Sequence, residues 1–345
     1  MNLKVAFVGM KRPPSDMPDG YWPTFVRFHM EIPYYYARYS KCDVTLVTTE
    51  SVEYCETFDS GGSIKCITEN EYISGTDKLD VVVHWRKWFD EFYDDRARNV
   101  ILSQDHSYSE EWKFNVISAW NAKHLDGILV FPTWHKENVA RELVHIPRSN
   151  LYEGLTLGVD TDIYMPTSKD PYHLLWASDP GRGLDALINP FLRLWSKDRR
   201  FRLTVTYPDY VKPESVTRFA SFLKHPGVKH MPGVRNGPIL WDLFNSAGIL
   251  PYTSTFPEPS SRCHRQAQAA GCMVLYPPNM GSPSHLIENG ITGIVDSIEH
   301  WPDIISRAVT SGRCGEIGYN ARTFAISENW EVQAKRFYKF FSKVA

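Results

Sequence analysis

A short loop with one acidic residue stands directly before a helix start in residues 254–271, S-T-F-P-E-P-S-S-R-C-H-R-Q-A-Q-A-A-G. Glu258 lies between two prolines, and one serine of the pair 260–261 can cap a helix that stops at Gly271. The free amides of a helix N-terminus attract anions, and a carboxylate beside them can accept hydrogen bonds from hydroxyls. Glu258 could instead only complement the helix dipole, but that role does not explain the flanking prolines.

A second helix start carries a cation. In W-A-S-D-P-G-R-G-L-D-A-L-I-N-P-F-L-R-L-W (176–195), the apolar spacing predicts a helix that begins near Gly183, with Arg182 at its electropositive end. A cation there costs roughly 0.3–1 kcal/mol unless an anion is present. The pattern therefore predicts that Arg182 and the nearby amides hold a diphosphate. The alternative is a solvated surface arginine.

The elements that must position these residues are short apolar runs alternating with helical patterns. Runs rich in Val and Ile, without polar alternation, are typical of parallel sheets buried on both faces, and helices between them indicate βαβ units. We predict two doubly wound α/β domains whose sheets face each other across a cleft at the carboxyl ends of their strands. The predicted strands are 4–9, 43–48, 79–84, 99–103 and 127–131, then 173–177, 201–206, 228–232, 247–252, 272–276 and 292–295.

Length also favours two domains, because 345 residues exceed one ordinary core. We place the boundary in the Pro- and Asp-rich segment near 160–171, which separates a first domain, 1–160, from a second, 172–327. The chain ends in a helix, 328–345, whose apolar stripe must pack on one of the two domains. That stripe consists of Trp330, Ala334, Phe337, Tyr338 and Phe341.

Composition excludes several classes of protein. A net charge of -2 with scattered basic residues argues against nucleic-acid binding. The six cysteines show no C-x-x-C pair and no metal spacing, so we expect free thiols. The apolar run at 4–9 is too short for a signal-peptide core, and no stretch approaches the roughly 20 apolar residues of a membrane span. These features predict a cytoplasmic protein.

Five segments together resemble the retaining GT-B glycosyltransferases, family 4 in particular. Each is a weak match alone, but they occur in the family's order over roughly residues 100–340, whereas residues 1–98 match only as a generic α/β half. The loop 254–271 is similar to the family's donor-binding P-E-x-F/S-G/C loop and the helix after it. The other four are G-V-D-T-D-I-Y-M-P (158–166), S-D-P-G-R-G-L-D (178–185), H-L-I-E-N-G-I-T-G-I-V (285–295) and N-W-E-V-Q-A-K-R-F (329–337).

The resemblance implies a GT-B fold of two Rossmann-like domains, with the last helix, 328–345, crossing back onto the first. It implies a hexosyltransferase-type enzyme that moves a sugar, with retention, from a UDP or GDP sugar to a hydroxyl acceptor. That acceptor could be a glycan, a lipid or a small molecule, and a lipid would bring peripheral membrane contact. No metal and no bound cofactor are implied.

The resemblance also assigns site residues. Glu258 is the first glutamate of the family's E-x7-E pair and touches donor-sugar hydroxyls, while Arg182 is the basic phosphate ligand. The second glutamate is replaced by Gln266, whose neutral amide should bind ribose hydroxyls less strongly than a carboxylate. The remaining donor-side residues are Ser178 on the phosphate turn, Arg235 beside the nucleobase, and the loop residues Ser260, Ser261 and Arg262.

On the first domain, the resemblance places His106 or Asp105 against the donor sugar, with His106 as a catalytic candidate. The loop after the first strand, including Met10 and Lys11, would line the acceptor side. An ordinary loop histidine is the alternative for His106.

Three rival functions remain open. The same scaffold could serve a nucleotide-sugar epimerase or a sugar phosphorylase, although no segment suggests a pyridoxal phosphate lysine. A catalytically weak protein that binds nucleotide sugars or glycans is favoured by Gln266. A DNA-base glucosyltransferase is the third, and the lack of a basic face argues against it.

Overall fold

The computed structural model describes residues 2–10, 26–27, 30–49, 54–105, 107–132, 134–153, 156–166, 168–254 and 257–344. The chain forms two compact units. Unit 1 comprises Met1–Leu157 together with Trp330–Ala345, and unit 2 comprises Gly158–Asn329. Each contains one sheet of mainly parallel strands with helices between them, which confirms the predicted α/β class.

Unit 1 has an eight-stranded sheet in the order β3-β4-β2-β1-β5-β6-β7-β8. All neighbours pair in parallel except β3 and β4, which form an antiparallel pair at one edge that the sequence patterns did not predict. The central strands are almost wholly buried, as expected when helices cover both faces. The strands are β1 Leu3–Val8, β2 Cys42–Thr48, β3 Cys55–Thr57, β4 Ser63–Thr68, β5 Val81–Trp85, β6 Arg98–Leu102, β7 Gly127–Leu129 and β8 Leu151–Tyr152.

Helices connect these strands. The first of them is α1, Glu31–Tyr39, which is rich in tyrosine. The others are α2 Glu69–Ser74, α3 Glu110–Asn121 and α4 Trp134–Glu142, with 3₁₀ turns at Asp90–Phe92 and Arg148–Asn150.

Unit 2 has a six-stranded parallel sheet in the order β11-β10-β9-β12-β13-β14. In chain order this is 3-2-1-4-5-6, the arrangement of a doubly wound nucleotide-binding sheet. Its direction of winding reverses between β9 and β12, and a crevice forms at the carboxyl ends of strands at such a point. The strands are β9 Asp170–Ala177, β10 Arg202–Tyr207, β11 Val228–Pro232, β12 Ala247–Pro251, β13 Met273–Tyr276 and β14 Ile294–Val295.

The helices of unit 2 follow its strands, so those after β9 and β12 begin at the carboxyl edge of the sheet. The helix after β9 packs Leu184, Leu187, Phe191 and Leu194 into the core, as its apolar spacing predicts. The helices are α5 Leu184–Lys197, α6 Pro213–Thr217, α7 Ala220–Leu223, α8 Pro238–Ser246, α9 Arg262–Ala269, α10 Ser282–His285, α11 Trp301–Thr310 and α12 Arg313–Ser327, with 3₁₀ turns at Pro180–Arg182 and Ile298–His300.

The last helix, α13 Trp330–Val344, packs on α1 within unit 1. The Trp330 ring stacks on Tyr35 at 5.0 Å between centroids, and Tyr36 lies 5.9 Å from Phe337 and 5.5 Å from Phe341. Aromatic pairs at these distances add to the stabilisation from apolar burial. Four residues of the predicted stripe are therefore buried in unit 1, whereas Tyr338 is exposed and does not belong to the buried face.

Candidate functional site

The turn that follows β9 carries Arg182 on a short 3₁₀ segment. Asp179 caps this segment, since its Oδ1 accepts the Gly181 N–H at 2.8 Å. Gly183 then adopts φ +118°, a left-handed conformation that favours glycine, and α5 begins at the next residue. Arg182 is thus fixed immediately before a helix N-terminus, where the resemblance expects a phosphate ligand.

Arg182 pairs with Glu258 across the crevice of unit 2. Its Nη1 lies 3.1 Å from Glu258 Oε1, and the side chains are 47% and 4% exposed. Arg182 follows β9 and Glu258 follows β12, the two strands at which the winding reverses. The structure therefore brings together two residues that are 76 positions apart in the sequence.

The backbone of Glu258 is anchored to the loop after β13. The Glu258 N–H donates to Met280 O at 3.1 Å, and the Ser282 N–H donates to Glu258 O at 2.9 Å. Between these bonds, Gly281 adopts φ +91°, and a Cβ there would lie 2.3 Å from Glu258 O. A glycine is required by this close approach, and the sequence analysis missed it.

A tyrosine that the sequence analysis counted as the end of a strand contacts the carboxylate. Tyr252 donates its O–H to Glu258 Oε1 at 2.7 Å, and its ring is buried. Burial raises the pKa of the Glu258 carboxyl, while the Tyr252 hydrogen bond and the charge of Arg182 act in the opposite direction. Burial and the nearby Glu258 charge in turn raise the pKa of Tyr252, so this phenol stays protonated as a donor.

The helix after the loop begins as the sequence pattern predicts. Ser261 is the N-cap of α9 and its Oγ accepts the His264 N–H at 3.4 Å, while Gly271 adopts φ +77° just past the helix end. Ser260 is half-buried and Arg262 is exposed. The backbone N–H groups of this first turn therefore follow Glu258 closely in the chain.

Gln266 lies on α9 and is 7% exposed. Its backbone carbonyl accepts the Ala270 N–H, but its side-chain amide makes no hydrogen bond within the part of the chain that the structure describes.

Two other donor-side candidates lie at the same edge of the sheet. Ser178 follows β9, and its Oγ lies 3.5 Å from the Tyr252 hydroxyl. Arg235 follows β11 and donates through Nε to Asp209 Oδ2 at 2.6 Å, an ion pair that is about half exposed. β10 and β11 stand on the far side of β9 from β12, the strand that precedes Glu258.

Two of the unit 1 candidates, Met10 and Asp105, lie within the described residues. Met10 is 2% exposed and belongs to the hydrophobic core, and Asp105 is ion-paired with Arg86 through a 3.1 Å hydrogen bond from Nε. Lys11 and His106 lie outside the described residues.

A buried histidine that the sequence analysis did not consider holds the backbone beside Asp105. His135 Nδ1 accepts the Phe131 N–H at 3.1 Å, so its proton is on Nε2, which donates to Asp105 O at 3.0 Å. Tyr108 donates to the same carbonyl at 2.6 Å. Burial lowers the pKa of His135 to about 4, which keeps the ring neutral at pH 7.

Across the described ranges, no cluster of three or more His, Cys, Asp or Glu side chains is arranged to hold a metal ion. Likewise, none of the helices that the structure describes is both long enough and apolar enough to cross a membrane.

No family model and no curated protein sequence matches this chain. Solved structures do match. A glycosyltransferase from Rickettsia africae ESF-5 aligns with a TM-score of 0.72 at 13% identity, over 99% of this chain and 98% of that protein. Anabaena HepE in complex with UDP-glucose aligns with a TM-score of 0.68 at 13% identity, over 99% of this chain and all of that protein.

A third similar structure is the pneumococcal O-GlcNAc transferase GtfA in complex with UDP and GlcNAc. Its TM-score is 0.60 at 13% identity, over 78% of this chain and 57% of that protein. These similarities confirm the predicted GT-B fold. At such low identity they establish the fold alone, because one fold can carry many functions.

Proposed function

We propose that this chain is a retaining hexosyltransferase that moves a sugar from a UDP or GDP sugar to a hydroxyl acceptor. The observation that carries this proposal is the Arg182–Glu258 pair in the crevice of the unit 2 sheet. The similar proteins HepE and GtfA were solved with UDP, in one case as UDP-glucose, which supports a nucleotide-sugar donor. The acceptor is a glycan, a lipid or a small molecule.

In the proposed reaction Arg182 stabilises the leaving diphosphate. About half of its side chain is exposed, so phosphate oxygens can approach the guanidinium while Nη1 contacts Glu258. The N-termini of α5 and α9 add partial positive charge at the same edge of the sheet. This preorganised charge stabilises negative charge as it develops, without requiring a metal ion.

Glu258 accepts hydrogen bonds from hydroxyls of the donor sugar. The bond from the anomeric carbon to the phosphate oxygen breaks, and a bond to the acceptor oxygen forms on the same face. The acceptor proton passes to the departing phosphate oxygen, so no protein nucleophile is needed.

The remaining site residues keep the roles that the resemblance assigns. Ser178 and the loop residues Ser260, Ser261 and Arg262 lie next to the proposed phosphates and sugar. Gln266 bonds ribose hydroxyls, Arg235 borders the nucleobase, and Asp105 stays a prediction for the acceptor side.

A second function is favoured by Gln266, namely a protein that binds nucleotide sugars without turning them over. A neutral amide gives weaker hydrogen bonds to a ribose diol than a carboxylate does. The binding protein and the enzyme share the same crevice and differ in turnover.

Nucleoside diphosphate release from a panel of UDP and GDP hexoses tests both functions. We expect release by the wild type with at least one donor, in EDTA as well as in Mg²⁺. Glu258→Ala should lower that release by roughly 10²-fold or more, and Gln266→Glu should tighten UDP binding by up to about tenfold. Glu316→Ala on α12 is the matched control, because Glu316 is an exposed glutamate of the same unit.

The product's anomeric configuration, read by NMR, tests retention. Inverted product would refute the retaining mechanism. Binding of UDP without turnover of any donor would favour the second function, and no binding at all would refute both.

A further inference from the structure

Three predicted donor-side residues cluster around one phenol hydroxyl. The Tyr252 oxygen lies 2.7 Å from Glu258 Oε1 and 3.5 Å from Ser178 Oγ, and Arg182 Nη1 lies 3.1 Å from the same Glu258 oxygen. Ser178 and Arg182 follow β9, whereas Tyr252 and Glu258 follow β12. One hydroxyl therefore connects both sides of the crevice.

The hydrogen-bond roles at this oxygen are fixed by the chemistry of its partners. A guanidinium can only donate, and an ionised carboxylate can only accept. The single phenol proton therefore goes to Glu258, and the phenol oxygen faces the Ser178 hydroxyl at the outer limit of hydrogen-bond distance.

The ring that carries the hydroxyl is held firmly. Tyr252 is 2% exposed and lies between two nearly parallel rings, with Trp176 at 5.9 Å and Tyr276 at 5.6 Å between centroids. Its backbone N–H donates to Leu275 O at 2.9 Å. Because these neighbours belong to β9 and β13, the hydroxyl has a fixed place relative to three strands.

We propose that Tyr252 is a positioning residue that holds the Glu258 carboxylate and the Arg182 guanidinium in their working arrangement. This inference rests on the proposed function and adds a residue that neither the resemblance nor the motif spacing points to. Tyr252 acts through Glu258 and Arg182 rather than by contact with the reacting atoms.

The role follows from what happens when a diphosphate binds. Arg182 is the charged partner of Glu258, and a phosphate group competes for its N–H groups. Without neighbouring hydroxyl donors such as Tyr252 and Ser261, the buried carboxylate would be left unpaired, at a substantial cost in free energy. The Tyr252 hydroxyl supplies one such donor from a fixed position, so Glu258 keeps its orientation toward the sugar.

The surroundings of Glu258 make the effect measurable. Its ionisable neighbours are Arg182 after β9, Tyr252 after β12, Tyr276 at the end of β13 and Cys263 in the first turn of α9. Burial raises the pKa values of both tyrosines and of Cys263, so these three stay neutral near pH 7. Arg182 is then the charged neighbour, and removal of the Tyr252 hydrogen bond should raise the Glu258 pKa further.

The test is Tyr252→Phe in the full chain, with Tyr36→Phe as the matched control. Tyr36 is an equally buried tyrosine of unit 1, whose hydroxyl lies 2.9 Å from Cys42 Sγ. Carboxyl ¹³C NMR, assigned with Glu258→Gln, follows the titration of Glu258. We expect Tyr252→Phe to move this titration to higher pH by roughly one unit, and Tyr36→Phe to leave it unchanged.

Kinetics give a second readout with the best UDP or GDP hexose. Tyr252→Phe should lower kcat by roughly tenfold, with a smaller change in KM. The acidic limb of its pH–rate profile should move to higher pH. If this variant fails to fold, 3-fluorotyrosine at position 252 keeps the volume and strengthens the donor. It should move the Glu258 titration to lower pH.

An unchanged Glu258 titration in these variants would overturn the inference. The Glu258 titration is measured without a nucleotide sugar. A wild type without turnover would therefore refute the proposed function and leave the hydrogen-bond inference testable. A shifted titration with unchanged kcat would refute the positioning role while leaving the hydrogen bond in place.

Discussion

The two sheets share one strand order around their centres and differ in what fills the crevice there. In unit 2 the strands β9 and β12 end in a buried ion pair with a tyrosine hydroxyl. In unit 1 the described residues at the ends of the equivalent strands, β1 and β5, are mainly buried or aromatic, and the charged Arg86 follows β5. Met10 belongs to the core, Gly9 lies against the Phe89 ring, and the buried His84 ring stacks on Trp88 at 4.2 Å.

The strand order determines where a crevice forms. The residues that directly follow each strand determine which groups the crevice can bind. The nearest described ion pair of unit 1, Arg86 with Asp105, follows β5 and β6, one strand away from the equivalent position. We therefore expect the diphosphate to be recognised in unit 2 and not at the β1–β5 edge.

Removal of one arginine from each unit should give the largest difference in UDP binding between the two units. Arg182→Ala should weaken UDP binding by roughly 10- to 100-fold, the loss expected for a hydrogen bond to a charged group. Arg86→Ala removes the same charge from unit 1 and should leave UDP binding unchanged. Isothermal titration calorimetry at low salt measures both, and equal losses in the two variants would contradict the assignment of the diphosphate to unit 2.

Two glycines with positive φ, one in each unit, test the backbone. Gly281→Ala meets the Glu258 backbone at φ +91° and should destabilise unit 2 by roughly 2–4 kcal/mol. Gly9→Ala, at φ +73°, meets the Phe89 ring, which is half-buried and can turn, so its cost should be smaller. Urea unfolding measures both costs.

The same pair of variants should also differ in UDP binding. Gly281→Ala displaces the segment that carries Glu258, so it should weaken binding at a temperature where the variant is folded. Gly9→Ala should not. Normal UDP binding by a folded Gly281→Ala protein would show that the loop after β13 has no part in the site.

The smallest expected effect concerns stability and pH. Because burial raises the Glu258 pKa above its ordinary 4.5, the folded state holds this proton more tightly, and stability falls as pH rises through the folded-state pKa. Glu258→Gln mimics the neutral carboxyl and should therefore unfold at a higher temperature than the wild type at pH 7. Below pH 4.5 the advantage should disappear. A constant difference across the pH range in thermal melts would contradict this explanation.

Local signals in the sequence predicted much of unit 2. The serine cap and the glycine stop of α9, and the glycine before α5, are short-range features, and the structure has each of them. Residues that follow strands of a parallel sheet share one edge, so the sequence could also place Arg182 and Glu258 at the same edge. Their direct contact was not predicted.

The missed features depend on distant partners. Tyr252 was read as the end of an apolar strand, because nothing nearby shows that its hydroxyl reaches Glu258. The need for glycine at position 281 was missed because it arises from the backbone of Glu258, which is not a neighbour in the sequence. The β3–β4 pair was missed because Cys55–Thr57 is short and lacks the Val- and Ile-rich composition of the buried strands.

The parallel bridge between Glu258 and Gly281 has a consequence for protein engineering. Transplanting the segment after β12 into a homologous scaffold, without the segment after β13, would orphan one amide and one carbonyl on each side of the graft. A chimera built to exchange sugar specificity must carry both segments together, because each supplies backbone hydrogen-bond partners to the other.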